Sequence, residues 1–242
     1  MKSTLLGYRR IASGIDPPYD HAAYASTHKR APKNPPIRIA HTLSEITGPR
    51  LGAELVRAGD ADLTHFAGGE ALGERIVVTG RVLDEDGRPV PGALVEIWQA
   101  NSAGRYAHDV DQHDAPLDPH FSGVGRVAAG ADGVYRFATV KPAAYPWKNH
   151  LNAWRPQHIH FSLFGPGFAT RLITQMYFPG DPLLQLDPIF QSVPDPAARE
   201  RLVCAFDIEV TIPERALGYR FDIVLRGRDA TPFESGGRSD AL

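Results

Sequence analysis

The stretch from Glu74 to Ala100, ERIVVTGRVLDEDGRPVPGALVEIWQA, joins two runs rich in Val and Ile through the turn cluster DEDGRPVPG. Asp and Gly favour tight-turn backbone, and Pro cannot continue a strand ladder, so the two runs read as strands with a connection between them. Similar runs recur down the chain as GVYRFATV, QHIHFSLF, RLITQMYF, LVCAFDIEV and YRFDIVLRG, with Gly and Pro between them. Short strands at this spacing, with no alternating helical pattern, predict an all-β fold: a β-sandwich of mixed sheets with long loops and few short helices. One helix is expected at DPAARERLV, with Asp195 as N-cap and Pro196 at the first helical position. The 242 residues are enough to close one such core.

The flanks differ from this body. Residues 1–73 carry weak periodicity and much proline, as in DPPYD and RAPKNPPIR, and predict an extended N-terminal arm with short turns. LGAELVRAG could form one short helix there. Such an arm needs a surface to lie on, either its own domain or another subunit. The sandwich is expected over residues 74–234, and the tail SGGRSDAL, residues 235–242, is expected to be disordered. Lys and Arg number 26 against 28 Asp and Glu, with no block of one sign, so neither nucleic acid nor a membrane surface is indicated as a partner. The single cysteine, Cys204, excludes an internal disulfide and a cysteine-cluster metal site, and its apolar surroundings read as core. No run reaches the ~18 apolar residues of a membrane span. MKSTLLGYRRIASG lacks the apolar segment of a signal peptide, so a cytoplasmic location is expected.

Chemistry enters at WRPQHIHF, Trp154 to Phe161. On a strand, His158, His160 and Ser162 share one face and Ile159, Phe161 and Leu163 the other. Imidazoles at i and i+2 have Cα atoms about 6.5 to 7 Å apart, so both could converge on one ion. They could equally be two hydrogen-bonded histidines on a solvated face. No His-Glu-x-x-His is present, and no carboxylate near the histidines completes a two-histidine, one-carboxylate ferrous site. Two loop tyrosines are available instead: Tyr106 in NSAGRYAHD and Tyr145 in PAAYPWKN. Each taken singly reads as a packing residue. As ligands they would bind as phenolates, hard anionic oxygen donors that suit iron(III) better than zinc(II) or iron(II).

The ordered motifs EIWQANSAGRY, LDPHFSGVGR, YPWKN, WRPQHIHF, LITQMYFPGDP and YRFDIVLRG together resemble those of the intradiol aromatic-ring dioxygenases over about residues 40 to 234. The resemblance implies a β-sandwich enzyme with non-haem Fe(III) held by Tyr106 and His158 equatorially and by Tyr145 and His160 axially, with a hydroxide in the fifth position. It implies a catalytic Arg155 that stabilises charge developing on the ring, and Tyr145 doubling as a base. Trp147, Gln175 and Ile189 match substrate-pocket residues, and Tyr24, in the arm, matches a pocket tyrosine near the substrate carboxylate. The implied reaction is cleavage of protocatechuate by O2 between its hydroxyls to 3-carboxy-cis,cis-muconate, a step of the beta-ketoadipate route of aromatic breakdown. The proline-rich arm and the 13-residue interval from Tyr145 to His158 favour this substrate over catechol or hydroxyquinol. The family also implies a partner, a homologous alpha chain that shares the fold without the ligand set, in an αβ heteromer assembled into a larger oligomer. A non-catalytic sandwich subunit is the contrasting expectation.

Overall fold

The computed structural model describes residues 12–35, 37, 51–148, 153–165 and 171–234. The tail at 235–242 and much of the N-terminal arm lie outside the described residues. Strands dominate. A short hairpin, β1 (His65–Phe66) and β2 (Gly69–Glu70), precedes β3 (Arg75–Leu83), β4 (Leu94–Trp98), β5 (Val124–Ala128), β6 (Val134–Val140), β7 (Tyr145–Trp147), β8 (Ala153–Arg155), β9 (His158–Phe164) and β10 (Leu172–Tyr177). β11 (Ala205–Phe206), β12 (Leu217–Arg220) and β13 (Ile223–Val224) follow. Among the described residues three short α-helices are found, α1 (Thr27–Arg30), α2 (Pro188–Gln191) and α3 (Pro196–Glu200).

Two sheets face each other. The first runs β10-β9-β4-β5 and is antiparallel throughout. The second is mixed: β3 pairs antiparallel with β6, and parallel with β12 and then β13, while β11 adds to β12. Ile159, Phe161 and Leu163 of β9 enter the core between the sheets, as strand period demands. Phe161 meets Tyr135, Phe137 and Phe221 of the opposite layer, with ring centroids 6.0, 6.0 and 5.2 Å away. The outer face at Tyr177 is covered by a second apolar cluster that includes Leu184, Phe190, Val193, Ala198 and Leu202, and Ile15 of the arm joins it. Leu63 and Ala71 already belong to the main core, so the chain packs on the sandwich before β3 begins.

Several elements depart from the sequence pattern for local reasons. LGAELVRAG forms only a three-residue 3-10 turn, Ala53–Leu55. LVCAFDIEV keeps two strand residues, because Asp207 turns the chain: its carboxylate accepts Glu209 N and its carbonyl accepts Val210 N. YRFDIVLRG splits between β12 and β13, where the Asp222 carboxylate, rather than a carbonyl, accepts Arg81 N. The helix at α3 starts as expected, with Asp195 accepting Ala197 N and Pro at its first turn. No helix among the described residues is long and apolar enough to cross a membrane.

Candidate metal centre

β9 carries the two imidazoles, and its neighbours frame them. His160 lies between Trp98 on β4 and Gln175 on β10, and His158 lies opposite Tyr177. Directly paired residues share a sheet face, so these five side chains form one patch on the side away from the main core. The Trp98 ring stacks on His160 with centroids 4.7 Å apart and planes within 4°. Tyr145 arrives on β7, in register with Arg155 on β8. Tyr106 arrives on the turn after β4. There the Asn101 side chain accepts the N–H groups of Ala103 and Arg105, and Gly104 takes φ +80°. A Cβ on Gly104 would fall 2.4 Å from the Ala144 carbonyl oxygen, so this glycine lets the Tyr106 turn lie against the segment that enters Tyr145. The two phenol rings end up perpendicular, with centroids 5.3 Å apart.

The four side chains named as candidate ligands thus converge. His158 Nε2 is 3.2 Å from His160 Nε2 and 3.4 Å from Tyr145 Oη. The Nδ1 atoms are both engaged: His158 Nδ1 is 2.7 Å from the Pro156 carbonyl oxygen and His160 Nδ1 is 3.1 Å from Glu234 Oε2. A carbonyl oxygen, like a carboxylate, only accepts, so each Nδ1 carries the proton and each Nε2 presents a lone pair. Two lone pairs at this distance repel unless a proton or a metal cation lies between them. His158 itself stays neutral, because burial, then the charge of Arg155, holds it well below the ordinary imidazole value. Two nitrogens at right angles, each about 2.1 Å from one ion, would stand ~3 Å apart. Tyr106 Oη is buried with no hydrogen-bond partner among the described residues. Burial, with Tyr145 beside it, pushes the Tyr106 phenol well up, and burial also raises Tyr145. Among the described residues no three His, Cys, Asp or Glu side chains are arranged to hold a metal, so a centre here depends on phenolic oxygen. Two hard oxygens and two imidazoles fit a ferric ion.

The predicted pocket residues surround this point. Arg155 is buried, and its Nε and Nη2 donate to Asp187 at 3.0 and 3.2 Å. Nη2 also reaches Gln175 Oε1 at 2.5 Å and Tyr177 Oη at 3.1 Å. Burial works against the guanidinium charge, but Asp187 and the phenols around it keep Arg155 fully protonated. The guanidinium lies 5.4 Å from the Trp147 ring centroid, and Tyr24 packs edge-on against Trp147 at 5.2 Å. The arm therefore reaches the site. Ile189 is buried on α2 and linked to the others through Asp187, whose carboxylate accepts Ile189 N and Phe190 N as the helix cap. Gln175 Nε2 is buried without a partner among the described residues.

Four contributors escape a reading of the sequence by motif: Trp98, Tyr177, Asp187 and Glu234. Tyr177 could have been found from its i+2 spacing to Gln175, and Asp187 from the Asp-Pro helix start in LDPIF. Glu234 gives no local signal, being 74 residues from His160.

Fold and site together show a β-sandwich in which two tyrosines and two histidines converge beside a buried arginine. Residues 46–227 match the family model described as dioxygenase, and residues 8–42 match that of the N-terminal part of the protocatechuate 3,4-dioxygenase beta subunit. A protocatechuate 3,4-dioxygenase beta chain from Burkholderia cepacia is 62% identical over 220 residues, spanning 90% of this chain and 93% of the relative. A protocatechuate 3,4-dioxygenase alpha chain from the same organism is 32% identical over 171 residues, 69% of this chain and 80% of that one. The solved hydroxyquinol 1,2-dioxygenase from Pseudomonas putida DLL-E4 superposes with a TM-score of 0.54 at 26% identity, covering 74% of this chain and 64% of the other. The chain belongs to the intradiol dioxygenases, a family of oxidoreductases that use non-haem iron.

Proposed function

We propose that this chain cleaves protocatechuate between its two hydroxyls with O2, giving 3-carboxy-cis,cis-muconate, at a ferric ion held by Tyr106, Tyr145, His158 and His160. The observation that carries the ligand assignment is the pair of Nε2 atoms facing each other at 3.2 Å, with Tyr145 Oη 3.4 Å away and Tyr106 Oη unpartnered among the described residues. When bound, ferric iron supplies Lewis acidity toward phenolic oxygen and an electron-accepting partner for an electron-rich catecholate. The protein's own groups do the rest. Tyr145 Oη takes up the proton of one substrate hydroxyl, acting as a base beside the reacting ring. Arg155, held rigid by Asp187, Gln175 and Tyr177, offers positive charge to the ring as it becomes negative. Trp147 and Ile189 wall the pocket, the unpartnered Gln175 Nε2 offers it a donor, and Tyr24 closes the arm side, where the substrate carboxylate is expected. All atoms of both reactants appear in the product, so no further reductant is required.

Identity to the Burkholderia cepacia beta chain over nine-tenths of the length supports the choice of substrate, and the similar alpha chain of that organism supports an αβ heteromer. The test is oxygen uptake by the iron-loaded protein, purified alone and with a co-expressed homologous alpha chain, on protocatechuate, catechol and hydroxyquinol. Preference for protocatechuate and a purple-red colour from phenolate-to-iron charge transfer are expected. Preference for catechol or hydroxyquinol would overturn the substrate; a colourless protein that cannot be loaded with iron would overturn the centre.

A further inference from the structure

The two imidazoles are oriented by different devices. His158 Nδ1 bonds the carbonyl of Pro156, two residues before it on its own segment. His160 Nδ1 instead meets a full carboxylate, Glu234 Oε2 at 3.1 Å, delivered from the far end of the chain. The segment that brings it is tied down at successive residues. Thr231 N donates to the Val224 carbonyl, Thr174 Oγ1 donates to the Pro232 carbonyl at 2.7 Å, Phe233 N donates to Asp16 Oδ1, and Glu234 N donates to the Ile173 carbonyl at 2.9 Å. The His160 ring is thus fixed by Trp98 stacked on one face and by Glu234 at its edge.

We infer that Glu234 is a positioning residue of the metal centre: its carboxylate accepts the His160 Nδ1–H, fixes the tautomer that leaves Nε2 free, and places negative charge behind His160 but not behind His158. This rests on the ligand assignment proposed above. A carboxylate behind a metal-bound imidazole sets ring orientation and raises its basicity, and losing such a partner typically costs 10–100-fold in metal affinity. A neutral carbonyl sets orientation with less electronic push. The two histidines are therefore unequal donors, with His160 the stronger.

The test compares Glu234→Ala and Glu234→Gln with the parent chain. Three readouts are needed: iron retained against a competing chelator, the position of the visible phenolate-to-iron band, and thermal unfolding of the iron-free protein. Glu234→Ala should lose iron about 10–100-fold more readily and shift the band, with iron-free unfolding unchanged. Glu234→Gln keeps an acceptor oxygen but no charge, so it should recover most of the retention while the band stays shifted. Parent-like retention and an unmoved band in Glu234→Ala would overturn the inference. So would an iron loss mirrored by an equal loss of iron-free stability, since that marks a purely structural tie. Failure of the ligand assignment looks different: His160→Ala would then keep both iron and band.

Discussion

Arg155 and Asp187 form an ion pair with both side chains almost wholly removed from water. Desolvating two charges is costly, and their attraction compensates only when the remaining hydrogen-bonding capacity is also met. Here much of it is met: Asp187 accepts from Arg155 Nε and Nη2 and caps α2, while Gln175 Oε1 and Tyr177 Oη also accept from Nη2. Truncating one partner leaves the other charge buried alone. Asp187→Ala should therefore lose roughly 3–5 kcal/mol of stability in urea unfolding and also misplace Arg155, with loss of turnover. A loss under about 1 kcal/mol would mean that Arg155 is held by something other than this carboxylate. A charged residue ahead of Pro156 has no readable face in the sequence, and its buried partner sits 32 residues away.

Among the elements, β3 is the organising strand of the mixed sheet, and Gly80 is its tightest point. A Cβ there would lie 1.8 Å from the Phe221 carbonyl oxygen and 2.9 Å from Tyr135 Oη. That carbonyl accepts the Tyr135 hydroxyl at 2.5 Å, and Phe221 N donates to Thr79 O just where β12 gives way to β13. Gly80→Ala must push the β12–β13 segment off β3 and break both bonds. A cost of about 1–3 kcal/mol or more is expected, read as a lower urea midpoint. An unchanged midpoint would mean that the two strands are not locked at this contact. The strands β3, β4, β6, β9 and β10 were legible from the runs that form them, because alternation and turn residues act locally. β7, three residues centred on Pro146, and β8, three residues ending before Pro156, were not, yet their pairing is what sets Tyr145 opposite Arg155.

For the molecule as a whole, the two phenols and the pH are coupled. Burial raises both Tyr106 and Tyr145, so each holds its proton in the iron-free protein near neutral pH. Binding them as phenolates releases those protons, so apparent iron affinity should rise with pH below the phenol range. Delivering ferric iron from a weak chelate and measuring proton release should show Tyr145→Phe releasing about one proton fewer than the parent. Equal release would remove Tyr145 from the ligand set. The all-β class, the faces of β9, the candidate Tyr106, Tyr145, His158 and His160, and through the ordered motifs the family, are readable from the order of residues alone. These follow from strand period and from residue chemistry, which act over a few neighbours. It takes the folded chain to show that Gly104 lets the two tyrosine segments touch, that Asp187 holds Arg155, and that Glu234 stands behind His160. Those contacts join residues tens of positions apart, and nothing local in the chain encodes which of its many polar groups will meet once the sheets close.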